Sequence, residues 1–496
     1  MVRTWQTYPT ECRIFLTVWI VYLFHLAPVT GFNENRYLDL VRSIVDEGRF
    51  EIDTYHYNTL DKSYRDGHYY AGAAPGPALL AIPAYVLFRS IALFFPDDLF
   101  SQYDKASYLR GYLQSREASD DFIQNYPFGR FMLSHFFITG LTCSILTALV
   151  AVLIYRFSAL FIGGNRWPVI IALTYAFGTL SFYYSIRLYA HLPAANFAFL
   201  GFAVLAFSRI RQAPIRSWST FGSGFCVGMA ILTDYTIAPV AACLGLYTVW
   251  LIRDRRLLYG LMGGFIPVAL LFIYHTICFG GPFTTAYAYP NGPIDDGIHK
   301  YYDENFHGFS LPPLNQIWGL TFGTFRGVFW YIPVAFPCLI GLYIAFRQHK
   351  AFRPEWVLIC GVLCTQFLFN ATMHTNYWFG GWEFGPRFLT PVIPFLILPL
   401  VFVVHGRLQA TAVSILIAVS ILINWAGAIY GPSNSIFGVL TLFLLSGPST
   451  PLYLFISDYI QSYTSWSISI SPYGSFLMLG VLIYVLWRYS PLPVKE

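Results

Sequence analysis

Between Gly31 and Pro77 this chain gathers the side chains that move protons and hold ions. The stretch reads GFNENRYLDLVRSIVDEGRFEIDTYHYNTLDKSYRDGHYYAGAAPGP and carries Glu34, Asp39, Asp46, Glu47, Glu51, Asp53, Asp61 and Asp66. Only 11% of the chain is charged, so this density of carboxylates is a local concentration. Glu34 follows an apolar run by a few residues. A carboxylate there can accept the proton of an attacking hydroxyl as a general base, although the same place also suits an acid favoured by the N-terminal dipole of a following helix. Far along the chain, Arg387 ends a Gly-Gly-x-x-x-Gly-Pro-Arg stretch and opens another apolar run. A guanidinium at such an edge can hold phosphate with two parallel hydrogen bonds, and a charge bordering an apolar run is a functional hypothesis by default. The alternative is an interfacial anchor.

The elements that must position these residues are membrane spans. The mean hydropathy is +0.53 with 56% hydrophobic and 19% aromatic residues, and uninterrupted apolar runs of about 20 residues recur to the C-terminus. A soluble helix rarely stays apolar all round, and a barrel strand would alternate over ~10 residues. The expected fold is therefore an all-α polytopic membrane protein, a single integral domain over residues 1–496, with roughly 11–14 transmembrane helices. Arg3 and Arg13 precede the run Ile14–Val29, which reads as a first span with the N-terminus inside. That places loop 31–77 outside the cytoplasm. Within it, Leu38, Val41, Ile44 and Val45 have helical spacing, predicting an amphipathic surface helix over Arg36–Gly48 with Gly48 as its C-cap. The stretch 59–76 reads as turn-rich, leading into a span over Ala78–Phe95, and a polar segment follows over Pro96–Arg130.

Further along, the apolar run Phe221–Trp250 is broken at Thr233-Asp234-Tyr235, which reads as two spans with an acid at their junction. Two more outside loops cover 280–326 and 372–387, and Phe388–Val404 is expected to cross as one span. The net charge of +5 does not imply nucleic acid. Its cations form short clusters such as Arg253, Arg255 and Arg256 beside apolar runs, as cytoplasmic anchors do. Seven of the eight cysteines lie in apolar segments, so neither a disulfide framework nor a metal site is indicated. Cys360 and Cys364 share a helix face and read as packing residues. No internal repeat is visible.

Several blocks in order along the chain carry a resemblance. They are NENRYLDLVRSIVDEGRFEIDTY (Asn33–Tyr55), DGHYYAGAAPGPALLAIP (Asp66–Pro83), FGTLSFYYSIRLYAH (Phe177–His191), RGVFWYIPV (Arg326–Val334) and WFGGWEFGPRFLTPVIPF (Trp378–Phe395). With them the chain resembles the GT-C superfamily of integral membrane glycosyltransferases, in its protein O-mannosyltransferase-like and aminoarabinose-transferase-like group. It departs from the family pattern twice. Asn33 stands where an acidic pair would begin, leaving Glu34 alone, and Ala73-Ala74 stand where many members carry a lysine.

The resemblance implies transfer of a sugar from a polyprenyl-phosphate carrier to a protein, lipid or glycan acceptor, outside the cytoplasm and with inversion at the anomeric carbon. It implies a multi-pass protein of a prokaryotic plasma (inner) membrane. No cofactor is expected; a divalent metal stays open, but no His/Asp spacing indicates one. Glu34 is then the candidate general base and Arg387 the candidate phosphate cation, with Arg36, Arg326 and His68 as further cations. Asp53, Asp61 and Asp66 are candidates for sugar hydroxyls, and Tyr70, with Tyr69, Trp378 and Trp382, for stacking on a sugar face. His191 and His374 read as packing or interfacial histidines, while Glu383 and Asp234 have no evident role. The reading from another class is a transporter or flippase of lipid-linked sugars, which calls for charges lining a path through the spans.

Overall fold

The computed structural model describes residues 9–27, 31–94, 128–163, 166–292, 309–374, 378–381, 383–431, 435–450, 453 and 472–488. Most of the polar segment expected over Pro96–Arg130, the centre of the 280–326 loop and Trp382 lie outside the described residues. Apart from one β-hairpin and an isolated bridge, the regular structure described is helical. Among the described residues, five helices are long and apolar enough to cross a membrane: Leu133–Ala159, His191–Ile210, Arg256–Phe279, Lys350–Ala371 and Arg407–Tyr430. Seven shorter apolar helices of 10–17 residues accompany them. The protein is an integral membrane protein with an all-helical framework, and the large core lies where these helices meet.

The run expected to cross as a single span, Phe388–Val404, takes a different form. Pro391, Pro394 and Pro399 remove amide donors, and the backbone passes from a 3-10 turn (Arg387–Val392) through four α residues (Ile393–Leu396) into a second 3-10 turn (Leu398–Val403). Residues 388–404 are all buried. Irregular backbone at membrane depth is tolerated where protein surrounds it, so this segment is a central strut and not a lipid-facing span.

Close backbone approach sets another part of the framework. The helices Ser217–Thr233 and Arg256–Phe279 meet through glycines: a Cβ at Gly224 would lie 1.9 Å from the Gly260 carbonyl oxygen, and one at Gly263 2.1 Å from that of Phe221. Small residues permit such contact, which replaces hydrophobic burial as the source of packing between helices in lipid. Gly224→Val is expected to force the pair apart and cost ~1–3 kcal/mol, read as a lowered thermal midpoint in detergent. Gly222→Ala is the control, since a Cβ at Gly222 meets nothing within 4 Å. An unchanged midpoint in both variants would contradict the packing described.

The first loop is built on α2 (Phe32–Arg42), which follows α1 (Thr10–His25). α2 runs into a π-helical turn over Ser43–Glu47 and stops at Gly48, whose φ of 70° is left-handed, as its sequence position predicts. The amphipathic helix is thus present, but it is covered on both faces: every residue from Glu34 to Arg42 is buried. Its polar side is satisfied within the loop. The Asn35 amide donates to the Asn58 carbonyl (2.7 Å), the Asn58 amide donates to Asp39 (3.1 Å), and the Thr59 hydroxyl donates to the Phe32 carbonyl (2.8 Å). Burial pushes the Asp39 carboxyl up to about 8, so this acid is carried largely protonated at neutral pH.

The stretch after Thr59 is a hairpin, β1 (Lys62–Arg65) and β2 (His68–Ala71), paired antiparallel with Arg65 opposite His68. Asp66 and Gly67 form its two-residue turn, both with positive φ, as a tight hairpin of this twist requires. The hairpin is fastened to the second large loop by the Ser63 hydroxyl on the Ala286 carbonyl (2.9 Å) and the Tyr64 amide on the Pro290 carbonyl (2.6 Å). Next, α3 (Gly76–Ala92) lies alongside α2. Tyr85 donates to Asp46 at 2.7 Å and Arg89 pairs with Asp46 at 2.8 Å.

Candidate active site

Glu34 stands one turn into α2 and folds back on the start of the helix, its Oε2 accepting the Gly31 amide at 2.9 Å. The residue is 2% exposed. Its other oxygen makes no hydrogen bond to the described residues. Burial first and then the negative charge of Glu383, opposed by Arg187, leave the carboxyl raised to about 7. These causes identify the neighbours of Glu34: a second acid from the far part of the chain and an arginine from its middle.

Both neighbours are held by tyrosines. Glu383 accepts the Tyr183 hydroxyl at 3.1 Å on Oε2 and the Tyr189 hydroxyl on Oε1. Arg187 donates to the Tyr183 carbonyl at 3.2 Å and lies 3.9 Å from the centre of the Tyr183 ring. The short helix Ser181–Ser185 and the turn after it are buried, so this aromatic segment is a rigid mount. A carboxylate held between two phenol hydroxyls, beside a buried acid with a raised pKa, is an arrangement for proton transfer.

The loop bearing Glu383 and Arg387 gets its shape from glycine and from Arg326. Gly380 and Gly381 have φ of 76° and 71°, and a Cβ at Gly380 would lie 2.7 Å from Cγ of Arg387. Arg326 is 0% exposed and donates to the carbonyls of Phe325 (3.0 Å), Phe379 (2.9 Å) and Gly381 (2.6 Å). Three of its donors hold backbone, so its place in the geometry is that of a clamp on the loop. Arg387 lies over Phe388, 4.9 Å from the ring centre. Its Nε is buried without a partner, and its guanidinium makes no hydrogen bond or ion pair with the described residues.

The remaining sequence candidates fall into two groups. Arg36 and Asp61 form a buried ion pair at 2.5 Å, with Arg36 also donating to Tyr37 at 2.9 Å. They converge with Arg387 around Tyr287. Burial pushes that phenol up to about 12, against the positive charges of Arg36 and Arg387 and with the negative charges of Asp61 and Asp234. The hairpin holds the others. Asp53 accepts the Tyr69 amide (2.7 Å) and pairs with His68 (2.7 Å), whose side chain is half-exposed. The hydrogen bond that His68 donates to Asp53 raises the His68 pKa. Asp66 is exposed at the turn and pairs with Arg65 at 3.0 Å. Tyr70 is buried edge-on against Phe279. For Asp53, Asp66, His68 and Tyr70 the hairpin itself accounts for the positions observed.

Sequence reasoning did not assign roles to Glu383, Arg187 or Asp234. The available signal was chemical: each is an ionisable residue inside an aromatic or apolar segment, where an uncompensated charge is costly. Asp234 caps the turn Tyr235–Ile237, accepting the Thr236 amide and hydroxyl at 2.9 Å each, and it hydrogen-bonds Nδ1 of His191.

No protein-family model matches the chain, and no curated protein sequence matches it. A solved structure that does match is the crystal structure of ArnT from Cupriavidus metallidurans in the apo state. The two share 15% sequence identity at a TM-score of 0.49, over 98% of this chain and 72% of that one.

Proposed function

We propose that this protein is an inverting glycosyltransferase that moves a sugar from a polyprenyl-phosphate carrier to an acceptor hydroxyl on the extracytoplasmic side of the membrane. The observation that carries the reading is Glu34, a buried carboxyl raised to about 7 beside Glu383 and Arg187 with one oxygen uncommitted. The likeness of the first-loop sequence to GT-C enzymes supports it. An apolar cavity of about 190 Å³ also suits an isoprenoid tail. Its lining includes Leu80, Leu141, Leu146, Leu188 and Phe197, and Leu188 is the chain neighbour of Arg187.

In the proposed step the acceptor oxygen bonds to the anomeric carbon as the carbon–oxygen bond to the carrier phosphate breaks. The hydroxyl proton passes to Glu34, and the electron pair of the broken bond stays on the phosphate, whose charge Arg387 and Arg36 offset. A single displacement of this kind inverts the anomeric carbon. The test is transfer of label from radiolabelled polyprenyl-phosphate sugars in membranes containing the protein. Absence of transfer from any such donor, together with movement of the labelled lipid across vesicles, would replace the enzyme by a flippase.

A pH profile tests the base more closely. The reaction needs Glu34 ionised, so kcat/KM is expected to rise with pH through about 7. Glu383→Gln removes a negative charge that disfavours the Glu34 anion, and the acid limb should move to lower pH. Arg187→Gln removes a positive charge that favours the anion, and the limb should move to higher pH. Shifts in the same direction for both variants would exclude Glu34 as the titrating group.

A further inference from the structure

The pair formed by His191 and Asp234 is not used by the step above, yet its placement is specific. His191 opens the helix His191–Ile210, and the residue is 7% exposed. Asp234 is 6% exposed and is fixed at both oxygens, Oδ1 by the Thr236 amide and Oδ2 by the Thr236 hydroxyl. It engages Nδ1 of the imidazole. A carboxylate on Nδ1 sets the tautomer and orientation of the ring and leaves Nε2 as the nitrogen that can give a proton. Nε2 makes no hydrogen bond to the described residues. The ring stands edge-on to Phe388 at 5.2 Å, and the same Phe388 ring carries the Arg387 guanidinium at 4.9 Å.

The pair therefore belongs to the cationic side of the site. The charge of Asp234 acts on Tyr287 together with Arg36, Asp61 and Arg387, and on Tyr37 of α2. Tyr235, next to Asp234 in the chain, hydrogen-bonds His275 at 2.7 Å. Glu34 and Glu383 are joined instead to Arg187, Tyr183 and Tyr189. Two titratable centres with different partners, one suited to accept a proton and the other to donate one, is the pattern that separates base from acid in a displacement.

We infer that His191, positioned by Asp234, is the general acid of the reaction and donates the Nε2 proton to the bridging oxygen of the departing carrier phosphate. This rests on the glycosyltransferase reading. As the carbon–oxygen bond breaks, its electron pair on the phosphate oxygen takes the proton from the imidazolium, leaving neutral His191. Glu34 holds the acceptor's proton at that point, and exchange with water after release restores both groups. Arg36 and Arg387 act as fixed charges in this step.

The experiment compares wild type, His191→Gln and Asp234→Asn in transfer from a radiolabelled polyprenyl-phosphate sugar, with thermal midpoints measured on the same preparations. For His191→Gln the expected result is a fall in kcat of about 10²-fold or more, unchanged KM, and loss of the alkaline limb of the pH–kcat profile. Asp234→Asn should lower kcat while keeping that limb, because the donor is present but poorly oriented. An active wild type with His191→Gln at wild-type kcat, or with its alkaline limb intact, overturns the inference alone. A kcat fall in His191→Gln that is matched by a collapsed thermal midpoint and a raised KM also overturns it, since that is the result of a packing histidine. A wild type without transfer overturns the glycosyltransferase reading and this inference with it.

Discussion

Glu34→Gln is expected to lower the transfer rate by about 10²–10⁴-fold, the range of a lost general base, with little change in KM or thermal midpoint. The substitution is chosen for what it keeps. A glutamine oxygen can still accept the Gly31 amide that Glu34 accepts at 2.9 Å, so α2 keeps the contact at its N-terminus. With the carboxyl raised to about 7 by burial, the folded protein already carries the neutral form in a large share of molecules near neutral pH. A neutral amide of the same shape therefore disturbs the fold little, and the loss falls on chemistry. Equal transfer by the variant and the wild type, measured from the labelled donor, would remove Glu34 from the mechanism.

The second large effect is expected at Arg387. Its guanidinium lies over Phe388 at 4.9 Å, and its buried Nε has no partner. A phosphate oxygen that takes up charge as the carrier departs would meet these donors already oriented. Removing one such donor group typically costs about 10²–10³ in rate, so Arg387→Gln should lower kcat by that order. Arg387→Lys keeps the charge but loses the planar fork that matches phosphate, and should fall between the wild type and the glutamine variant. The order wild type, lysine, glutamine in kcat is the expected outcome. A wild-type kcat in Arg387→Gln would show that the leaving group is held elsewhere, and would direct attention to Arg36.

How much of this was legible in the sequence depends on the range of the interactions. The helical framework follows from runs of apolar residues, which are local, and Gly48 ends its helix where the spacing of Leu38, Val41 and Val45 predicts. Glu34 was also legible as a candidate, because its signal is its position beside an apolar run. The tertiary partners were not. Tyr183 and Glu383 are 200 residues apart, and His191 and Asp234 are 43 apart. No periodicity links such pairs; only the packed structure does. Asp66 illustrates a local signal that went unused. As one of three acids offered for sugar hydroxyls or as solvated loop acids, it carries no sign of the turn it makes, although an Asp-Gly step between β-forming tyrosines is a hairpin turn signal in its own right. The expected span over Phe388–Val404 missed the effect of its prolines, which turn an apolar run into a buried 3-10 strut.

Glu34 and Glu383 are 349 residues apart in the chain, and the mount between them is closed by Arg326 through the carbonyls of Phe379 and Gly381. During synthesis the early loop therefore emerges long before its electrostatic partners exist. A nascent or truncated chain would present a solitary acid with no opposing charges to tune it. The electrostatic setting of Glu34 is thus completed late in biogenesis, once the downstream helices that carry Arg187 and Glu383 are in place.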